Sequence, residues 1–301
     1  MNDSFSKELD KIDELEVKYN ISIKAYTSFK IGGPVDIFAV PHSITALQKL
    51  LCTIYKNKMN FFILGKGSNI IVADKGYRGI VIYTGELKKV RIENNLLSAE
   101  AGITLATLAN KALAAGLTGL EFASGIPGTL GGALFMNAGA YGGEMKDVVK
   151  DALLLDYSGD EINLDSQQLK LSYRYSILQE KKLIAVKVNL KLKAGSKKEI
   201  KEKMKTLNRK RKEKQPLEWP SAGSIFKRPT GYYSGPLIEN AGLKGLRVGD
   251  AQISTKHAGF IINLGNATAA DVKALIEKVQ EVVHQKNGVK LEVEPRFIGE
   301  F

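Results

Sequence analysis

The spacing of hydrophobic and polar residues divides the chain into amphipathic helices and short strands. An apolar stripe at helical spacing follows Ser43, a favourable N-cap residue, and predicts a helix over residues 43–58. Similar stripes predict helices over residues 104–115 and 268–286, and a less regular stripe predicts a surface helix over the first twenty residues. Each helix has an apolar side that is expected to be buried.

Short apolar or alternating runs between these helices predict strands. They lie at residues 36–40, 61–64, 70–72, 79–83, 96–99, 152–156, 183–192, 258–264 and 289–293. Four of the eight prolines lie within residues 216–236, which predicts an ordered, non-helical connection and a domain boundary there. The 301 residues exceed the size of about 250 at which single cores usually stop growing. We therefore expect an α+β fold in two domains.

The charge balance is basic, with 44 Lys and Arg against 32 Asp and Glu and a formal net charge of +12. Residues 197–214 hold ten of the basic residues and three Glu. Ile200, Met204 and Leu207 recur there at helical spacing, which predicts an amphipathic helix with a solvated basic face. No aromatic residue lies between these charges to stack on bases, so nucleic-acid binding is disfavoured.

Composition narrows the possible chemistry. Cys52 is the only cysteine, so intramolecular disulfides and cysteine-based metal sites are excluded. The three histidines have no recognisable metal-ligand spacing, and we expect no metal. No apolar run approaches the roughly 18 residues of a membrane span, and the charged N-terminal stretch does not resemble a secretory signal. We expect a soluble cytoplasmic protein that acts as a monomer and binds no nucleic acid or membrane.

A glycine turn follows the predicted strand at residues 61–64. Residues 65–69 read Gly-Lys-Gly-Ser-Asn, a composition that lets backbone N–H groups approach an anion. The pattern is not the P-loop, because the upstream glycine and the Lys-Ser/Thr pair are missing. It is not the dinucleotide fingerprint either, because Ile70 occupies the place of the third glycine. On its own, this turn is equally consistent with a tight turn that binds nothing.

Residues 116–143 hold nine of the 29 glycines and few charges. Such a segment suits backbone packed closely against a flat or elongated ligand, although a glycine-rich turn inside a core is the alternative. Together with five other motifs, it resembles the UDP-N-acetylenolpyruvoylglucosamine reductase family over nearly the whole chain. The motifs occur in the family's order at residues 65–69, 125–143, 173–176, 221–229, 254–260 and 292–296.

The resemblance implies a two-part FAD-binding region of the vanillyl-alcohol-oxidase type, followed by an α+β substrate domain. Its parts are expected at residues 1–88, 89–206 and 207–301. Non-covalent FAD is expected, with the pyrophosphate on the turn that starts at residue 65 and the flavin along the glycine-rich segment. The implied cofactor-binding residues are Gly65, Lys66, Gly67, Ser68, Asn69, Ile70, Ser124, Gly125, Ile126, Gly128, Thr129, Gly132, Asn137, Ala138, Gly139 and Ala140.

The resemblance also implies a reaction. Family members reduce UDP-N-acetylglucosamine enolpyruvate to UDP-N-acetylmuramate for peptidoglycan, with NADPH as reductant. Hydride is expected to pass from reduced flavin N5 to C3 of the enolpyruvyl group, and a proton from a serine to C2. The family's serine falls on Ser224, its arginine on Arg174 and its glutamate on Glu294.

Cationic and aromatic residues in the substrate domain suit a nucleotide sugar with a diphosphate. The candidates for substrate binding are Lys227, Arg228, Tyr232, Lys256 and Arg296. His257 is expected to orient its loop through a hydrogen bond, and a role as a base is the alternative.

Two features bear on the type of family member and on the catalytic glutamate. Only a few residues separate Ser176 from the next predicted strand, so the chain resembles the shorter type, which lacks a tyrosine-bearing insertion. Pro295 stands where a small apolar residue is expected and restricts Glu294, which leaves Glu292 as the alternative glutamate. Two other functions remain open: another FAD oxidoreductase of this fold, or a non-catalytic protein that binds anions or nucleic acid.

Overall fold

The computed structural model describes residues 3–301, which pack into two compact units. Unit 1 contains the chain up to Tyr19, Ile37–Lys66 and Gly79–Arg209. Unit 2 contains Asn20–Asp36, Gly67–Arg78 and Lys210–Phe301. Two segments from the first third of the chain therefore pack with its C-terminal third.

The helices begin and end where side chains or glycine satisfy their free backbone groups. Ser43 Oγ accepts a hydrogen bond from the Ala46 N–H at the start of the second helix. The longest helix starts with a reciprocal capping box of Thr268 and Asp271, and ends at Gly288, whose φ is 68°. The α-helices are α1 (Asp3–Leu9), α2 (Ile44–Lys56), α3 (Leu105–Ala114), α4 (Leu130–Phe135), α5 (Ile177–Lys181), α6 (Lys197–Lys214), α7 (Ser234–Asn240) and α8 (Ala269–Asn287).

The strands are short, and most pair antiparallel. In chain order they are β1 (Leu15–Ser22), β2 (Pro34–Pro41), β3 (Phe61–Leu64), β4 (Ile70–Val72), β5 (Tyr77–Tyr83), β6 (Val90–Glu93), β7 (Leu96–Glu100), β8 (Leu117–Thr118), β9 (Gly139–Ala140), β10 (Gly143–Glu144), β11 (Val149–Leu155), β12 (Glu161–Asp165), β13 (Ile184–Lys191), β14 (Lys193–Ala194), β15 (Ser221–Ser224), β16 (Arg247–Val248), β17 (Ala251–Ile253), β18 (Phe260–Asn263) and β19 (Arg296–Ile298).

Each unit has its own main sheets. Unit 1 holds the five-stranded sheet β12-β11-β13-β7-β6 and most of the four-stranded sheet β1-β2-β5-β3, in which β3 and β5 run parallel. Unit 2 holds the four-stranded sheet β15-β18-β17-β16 and the parallel pair β19-β4. The mixture of helices and largely antiparallel sheets is an α+β architecture, as the sequence predicts.

Three hydrophobic cores hold these layers together. In unit 1, one core packs α2 against β2 and β5, and the other packs α3 and α4 against the five-stranded sheet. The core of unit 2 packs α7 and α8 against its sheet and includes Phe29, Ile31 and Ile71 from the early segments. Most of each core comes from one of the three predicted parts, 1–88, 89–206 and 207–301, whose boundaries stay a prediction.

The prediction of one helix over the first twenty residues is wrong. α1 ends at Leu9, and Leu15 begins β1 instead. Glu14 has a φ of 58°, a left-handed conformation that stops a helix, and Leu15 and Val17 have the two-residue period of a strand. The less regular apolar stripe thus combines residues of a short helix with residues of the strand that follows it.

The terminal strand predicted at residues 289–293 is also absent from the described structure. This segment makes a single bridge, from Val293 to Phe226. Its backbone instead bonds the loop after β15, where the Lys227 N–H donates to Glu292 O at 2.8 Å. The terminal strand is β19, which starts at Arg296.

The proline-rich connection is ordered but not free of helix. It contains β15, and α7 starts within it at Ser234. Pro236 is the third residue of α7, where its missing N–H breaks no intrahelical hydrogen bond. Among the described residues, none of the helices combines the length and the apolar composition that crossing a membrane requires.

Candidate functional site

The first part of the glycine turn contacts the glycine-rich segment within unit 1. The chain leaves β3 at Gly65, where an added Cβ would collide with Oγ1 of Thr129. Thr129 is the N-cap of α4, and its Oγ1 accepts a hydrogen bond from the Gly132 N–H at 3.4 Å. Gly65 is therefore required for this approach, and it brings Lys66, the next residue, close to the start of α4.

The second part of the turn is held within unit 2. Gly67 has a φ of 61°, and an added Cβ would collide with the carbonyl oxygen of Tyr26. The Ser28 N–H donates to Gly67 O at 3.0 Å, and the Arg296 N–H donates to Asn69 O at 3.0 Å. The turn thus has a defined backbone path, and Ser68 and Ile70 follow on the same path into β4.

The glycine-rich segment packs its backbone against the strand end that precedes α3. The Leu130 N–H donates to Ile103 O at 2.9 Å, and the Gly131 N–H donates to Ala101 O at 2.8 Å. An added Cβ on Gly131 would lie 2.9 Å from Ala101 Cβ, a distance to which the Cβ atoms of real side chains do not approach other atoms. Gly132 on the other side is exposed. At Gly132 the segment therefore exposes backbone without a side chain.

The buried residues of the segment are used for packing and hydrogen bonding. Ser124 is 8% exposed and its Oγ donates to Glu121 O at 2.8 Å. Gly125, Ile126 and Gly128 are half-buried, as are Ala138, Gly139 and Ala140. The small residues of the segment, Gly125, Gly128, Gly132 and residues 138–140, are thus partly or fully exposed and form its small-residue surface, whereas Ser124, Thr129 and Asn137 are buried.

Arg174 occupies a tight turn in unit 1. The backbones of Ser172 and Tyr175 bond each other in both directions, each at 3.1 Å. Arg174 is the third residue of this turn and has a φ of 56°, a position that usually requires glycine or asparagine. Its guanidinium carbon lies 5.1 Å from the centre of the Tyr173 ring, in a cation–π contact. An arginine disfavours this left-handed conformation, so the surrounding structure has to hold the turn.

Ser224 and Glu294 lie on neighbouring segments of unit 2. Ser224 ends β15 after an irregularity in its pairing with β18, and its Oγ donates to Phe226 O at 3.1 Å. The Glu294 N–H donates to Ile225 O at 2.9 Å. The Asn69 side-chain amide lies 3.5 Å from Glu294 O. Unit 2 thus brings together the predicted serine, the predicted glutamate and one residue of the glycine turn.

The alternative glutamate has a different environment. Glu292 has a 71% exposed side chain and forms an ion pair with Lys227. Glu294, by contrast, is partly buried. Pro295 between Glu294 and Arg296 is buried, and the chain passes through it directly into β19. Of the two glutamates, Glu294 is thus the less exposed one, and its backbone bonds the residue that follows Ser224.

The predicted substrate-binding residues divide into two groups. The lysines of the first group bond to other protein groups. Lys227 forms an ion pair with Glu292, and the Lys256 ammonium donates to Lys212 O at 2.8 Å. The other group consists of exposed residues, Arg228, Tyr232 and Arg296.

Tyr233 was not among the predicted site residues. It is 60% exposed, and the Arg228 guanidinium carbon lies 4.0 Å from the centre of its ring. The sequence offered one signal for it, namely its position directly after Tyr232 in a segment with two basic residues.

His257 holds its loop through a hydrogen bond. Its Nδ1 accepts from the Gly259 N–H at 3.1 Å. Burial lowers the pKa of His257, so the neutral imidazole that accepts this bond is favoured. The hydrogen bond that the orienting role requires is therefore present, and the role itself stays a prediction. Among residues 3–301, no group of three or more His, Cys, Asp or Glu side chains is arranged to hold a metal ion.

Two sequence-family models match the chain. The model described as "FAD binding domain" matches residues 35–165, and the model described as "UDP-N-acetylenolpyruvoylglucosamine reductase, C-terminal domain" matches residues 215–298. The first range contains the glycine turn and the glycine-rich segment, and the second contains Ser224 and Glu294. The fold class predicted from the sequence, an FAD-binding region followed by a substrate domain, is confirmed.

Several relatives match nearly the whole chain. The UDP-N-acetylenolpyruvoylglucosamine reductase of Caldanaerobacter subterraneus subsp. tengcongensis is 53% identical over 97% of this chain and 98% of its own. That of Clostridium novyi is 49% identical over 98% and 96%. The crystal structure of the Thermus caldophilus reductase superposes with a TM-score of 0.82 at 37% identity, over 94% of this chain and 99% of its own. The chain therefore belongs to the UDP-N-acetylenolpyruvoylglucosamine reductase family and is an FAD-dependent oxidoreductase.

Proposed function

We propose that the protein reduces UDP-N-acetylglucosamine enolpyruvate to UDP-N-acetylmuramate, with bound FAD as cofactor and NADPH as reductant. The observation that carries this proposal is the 53% identity to a reductase of this name over 97% of the chain. The position of Ser224 beside Glu294 in unit 2 supports it. The product is a peptidoglycan precursor, and the nucleotide substrates are those of the cytoplasm, so we propose a cytoplasmic enzyme, which acts as a monomer in this proposal.

The substrate determines what the protein groups must do. Its enolpyruvyl carboxylate is conjugated to a carbon–carbon double bond, so hydride addition at C3 drives negative charge onto the carboxylate. When bound, FAD would supply the hydride chemistry that connects NADPH as donor with the enolpyruvyl group as acceptor. The protein has to stabilise the charge that develops on the carboxylate and deliver a proton to C2.

Arg174 is proposed to bind the substrate carboxylate. A guanidinium is planar, always charged, and donates two parallel hydrogen bonds to a carboxylate. Its attraction to the carboxylate strengthens as negative charge collects there, so it stabilises the transition state more than the ground state. The turn that holds Arg174 fixes where its side chain starts.

Ser224 is proposed to donate the proton to C2. A serine hydroxyl is a weak acid, so it donates a proton only to a strongly basic centre, such as the carbanion-like C2 formed by hydride addition. Its Oγ already donates a hydrogen bond, to Phe226 O, and a rotation about χ1 redirects the same proton. Glu294, on the adjacent segment, is proposed to orient the reacting group by accepting a hydrogen bond.

The remaining predicted residues are proposed to bind the cofactor and the nucleotide. Lys66 and the backbone of residues 65–70 suit the FAD pyrophosphate, and the small-residue surface of residues 124–140 suits the flavin. For the UDP diphosphate, the exposed guanidinium groups of Arg228, which stacks on Tyr233, and of Arg296 supply positive charge. Tyr232 offers an exposed ring for the uridine, while Lys227 and Lys256 have to exchange a protein partner for the substrate.

Product identification tests this proposal. The purified protein is incubated with FAD, NADPH and UDP-N-acetylglucosamine enolpyruvate, and the nucleotide sugar is analysed by mass spectrometry. We expect a product heavier by two hydrogen atoms, formed with equimolar loss of NADPH. UDP-N-acetylglucosamine, which lacks the double bond, is the control substrate and should stay unchanged. Unchanged enolpyruvyl sugar in the presence of bound, reducible flavin would contradict the proposal and favour another FAD oxidoreductase.

A further inference from the structure

The turn that carries Arg174 is supported by side chains for which sequence motifs gave no such role. Gln179, in α5, donates from its side-chain amide nitrogen to Arg174 O at 3.1 Å. The same nitrogen donates to Phe135 O, at the end of α4, at 2.8 Å. Both amide hydrogens of Gln179 are therefore used, one on the turn and one on the helix of the glycine-rich segment.

A second side chain holds the other end of the same turn. Asn137 is 1% exposed, and its amide nitrogen donates to Ser172 O at 3.0 Å and to Glu144 Oε2 at 2.6 Å. Its Oδ1 accepts from the Lys146 N–H at 2.9 Å. Although Asn137 was predicted to bind cofactor, its side chain is occupied by these protein partners, so a cofactor contact is left to its backbone.

Ser176 adds a third connection. It is fully buried and its Oγ donates to Phe135 O at 2.8 Å, the carbonyl that Gln179 also contacts. The turn is thus tied at both ends and at its exit to α4 and the residues that follow it. This support compensates for the left-handed backbone of Arg174, which a non-glycine side chain disfavours.

We infer that Gln179 is a positioning residue for Arg174, and that Asn137 acts with it. Gln179 holds the Arg174 backbone in its left-handed conformation and thereby sets the origin of the guanidinium. It connects the carboxylate-binding residue to the segment proposed to hold the flavin, both within unit 1. The inference rests on the proposed function for the role of Arg174 in binding the carboxylate. That Gln179 supports the turn does not depend on the proposed function.

The kinetic test uses Gln179→Ala and Gln179→Glu, which keeps the shape of the side chain but cannot donate from its carboxylate. We expect both to slow reoxidation of the reduced flavin by the enolpyruvyl sugar by about 10- to 100-fold, because small misplacements of a binding group have effects of this size. Reduction of the flavin by NADPH should change by less than about twofold. Gln167→Ala, an exposed glutamine of the same unit, is the control and should change neither rate.

Coupling to Arg174 separates positioning from a general structural role. In an Arg174→Lys background, which lacks the planar fork, Gln179→Ala should slow reoxidation by much less than in the wild type. An equal loss in both backgrounds would overturn the inference.

A melting experiment tests the support of the turn without catalysis. In wild type, Gln179→Ala should lower the melting temperature; in an Arg174→Gly background the decrease should be clearly smaller, because glycine adopts the positive φ unaided. Equal decreases in both backgrounds would overturn the inference. If wild-type flavin is reduced but not reoxidised by the enolpyruvyl sugar, the proposed function fails, and the melting comparison still decides the positioning role.

Discussion

The Ser224 hydroxyl donates a hydrogen bond to the carbonyl oxygen of Phe226, two residues along the chain, at 3.1 Å. The bond holds the hydroxyl on the loop that leaves β15, and the next residue, Ile225, is fully buried beneath it. Replacing Ser224 by alanine removes this one local bond and no packing contact of comparable size, so the fold should tolerate the change.

Ser224→Ala should separate the two half-reactions. Loss of a general acid typically slows a reaction by about 100- to 10,000-fold, and only the transfer to C2 requires this proton. Flavin reduction by NADPH should therefore stay near the wild-type rate while reoxidation by the enolpyruvyl sugar nearly stops. Stopped-flow absorbance measures both steps. Equal loss of both would mean that Ser224 is structural.

A matched pair of variants distinguishes the two glutamates. Glu294→Gln should abolish most reoxidation by the sugar, because Glu294 is the glutamate proposed to act with Ser224 and its backbone bonds Ile225, the residue next to that serine. Glu292→Gln removes only an exposed ion pair with Lys227, which is worth at most about 1 kcal/mol. Steady-state kinetics and melting temperatures of the two proteins provide the comparison. A large loss of turnover in Glu292→Gln, with Glu294→Gln active, would exchange their roles.

Glu121 links the start of the glycine-rich segment to α6 and makes stability depend on pH. Burial raises the pKa of Glu121, but hydrogen bonds from Thr118 and Gly119 and the charge of Lys203 outweigh it, so the pKa lies below its usual 4.5. Because the pKa of Glu121 is lower in the folded than in the unfolded protein, its ionised carboxylate stabilises the fold above pH 4.5. This stabilisation is lost as the pH falls through the lowered pKa. The difference in melting temperature between wild type and Glu121→Gln should therefore shrink below pH 4.5. A constant difference from pH 6 to the acid limit would contradict this.

The basic helix α6 should matter for packing rather than for catalysis. Ile200 and Met204 are buried, whereas Lys210 and Lys212 are exposed. Replacing Lys210 and Lys212 together by glutamine should leave kcat and the KM for the sugar nearly unchanged. Lys203→Gln, which removes the partner 3.7 Å from buried Glu121, should instead lower the melting temperature. A large rise in KM in the double variant would assign the basic face to substrate binding.

Most helices and strands could be predicted because their hydrophobic spacing is local. Ser43, Thr268 and Gly288 bound their helices as capping chemistry requires. The error over the first twenty residues was a wrong choice of period, whereas the error after α8 fell where the partner is distant in sequence. The segment after α8 bonds the loop at residues 225–227, and β19 pairs with β4, more than 200 residues earlier. No local pattern encodes such a choice of partner.

The candidate site, too, could be predicted from the sequence only in part. Glycine density predicts the cofactor segment, and the family resemblance predicts the roles of the serine, the arginine and the glutamate. The supporting side chains could not be found in this way, because Gln179 and Asn137 act through carbonyl oxygens that any residue provides. The sequence likewise could not show that Lys227 and Lys256 bond to other protein groups, because each partner lies more than 40 residues away.

The central claim is most directly tested by the absorption spectrum of the purified protein, first after anaerobic addition of NADPH and then after addition of UDP-N-acetylglucosamine enolpyruvate. We expect flavin bands that bleach with NADPH and return in full with the enolpyruvyl sugar, which shows both half-reactions in one sample. Bands that bleach and do not return would contradict the proposed substrate. A protein that shows no flavin bands, even after incubation with FAD, would contradict the account as a whole.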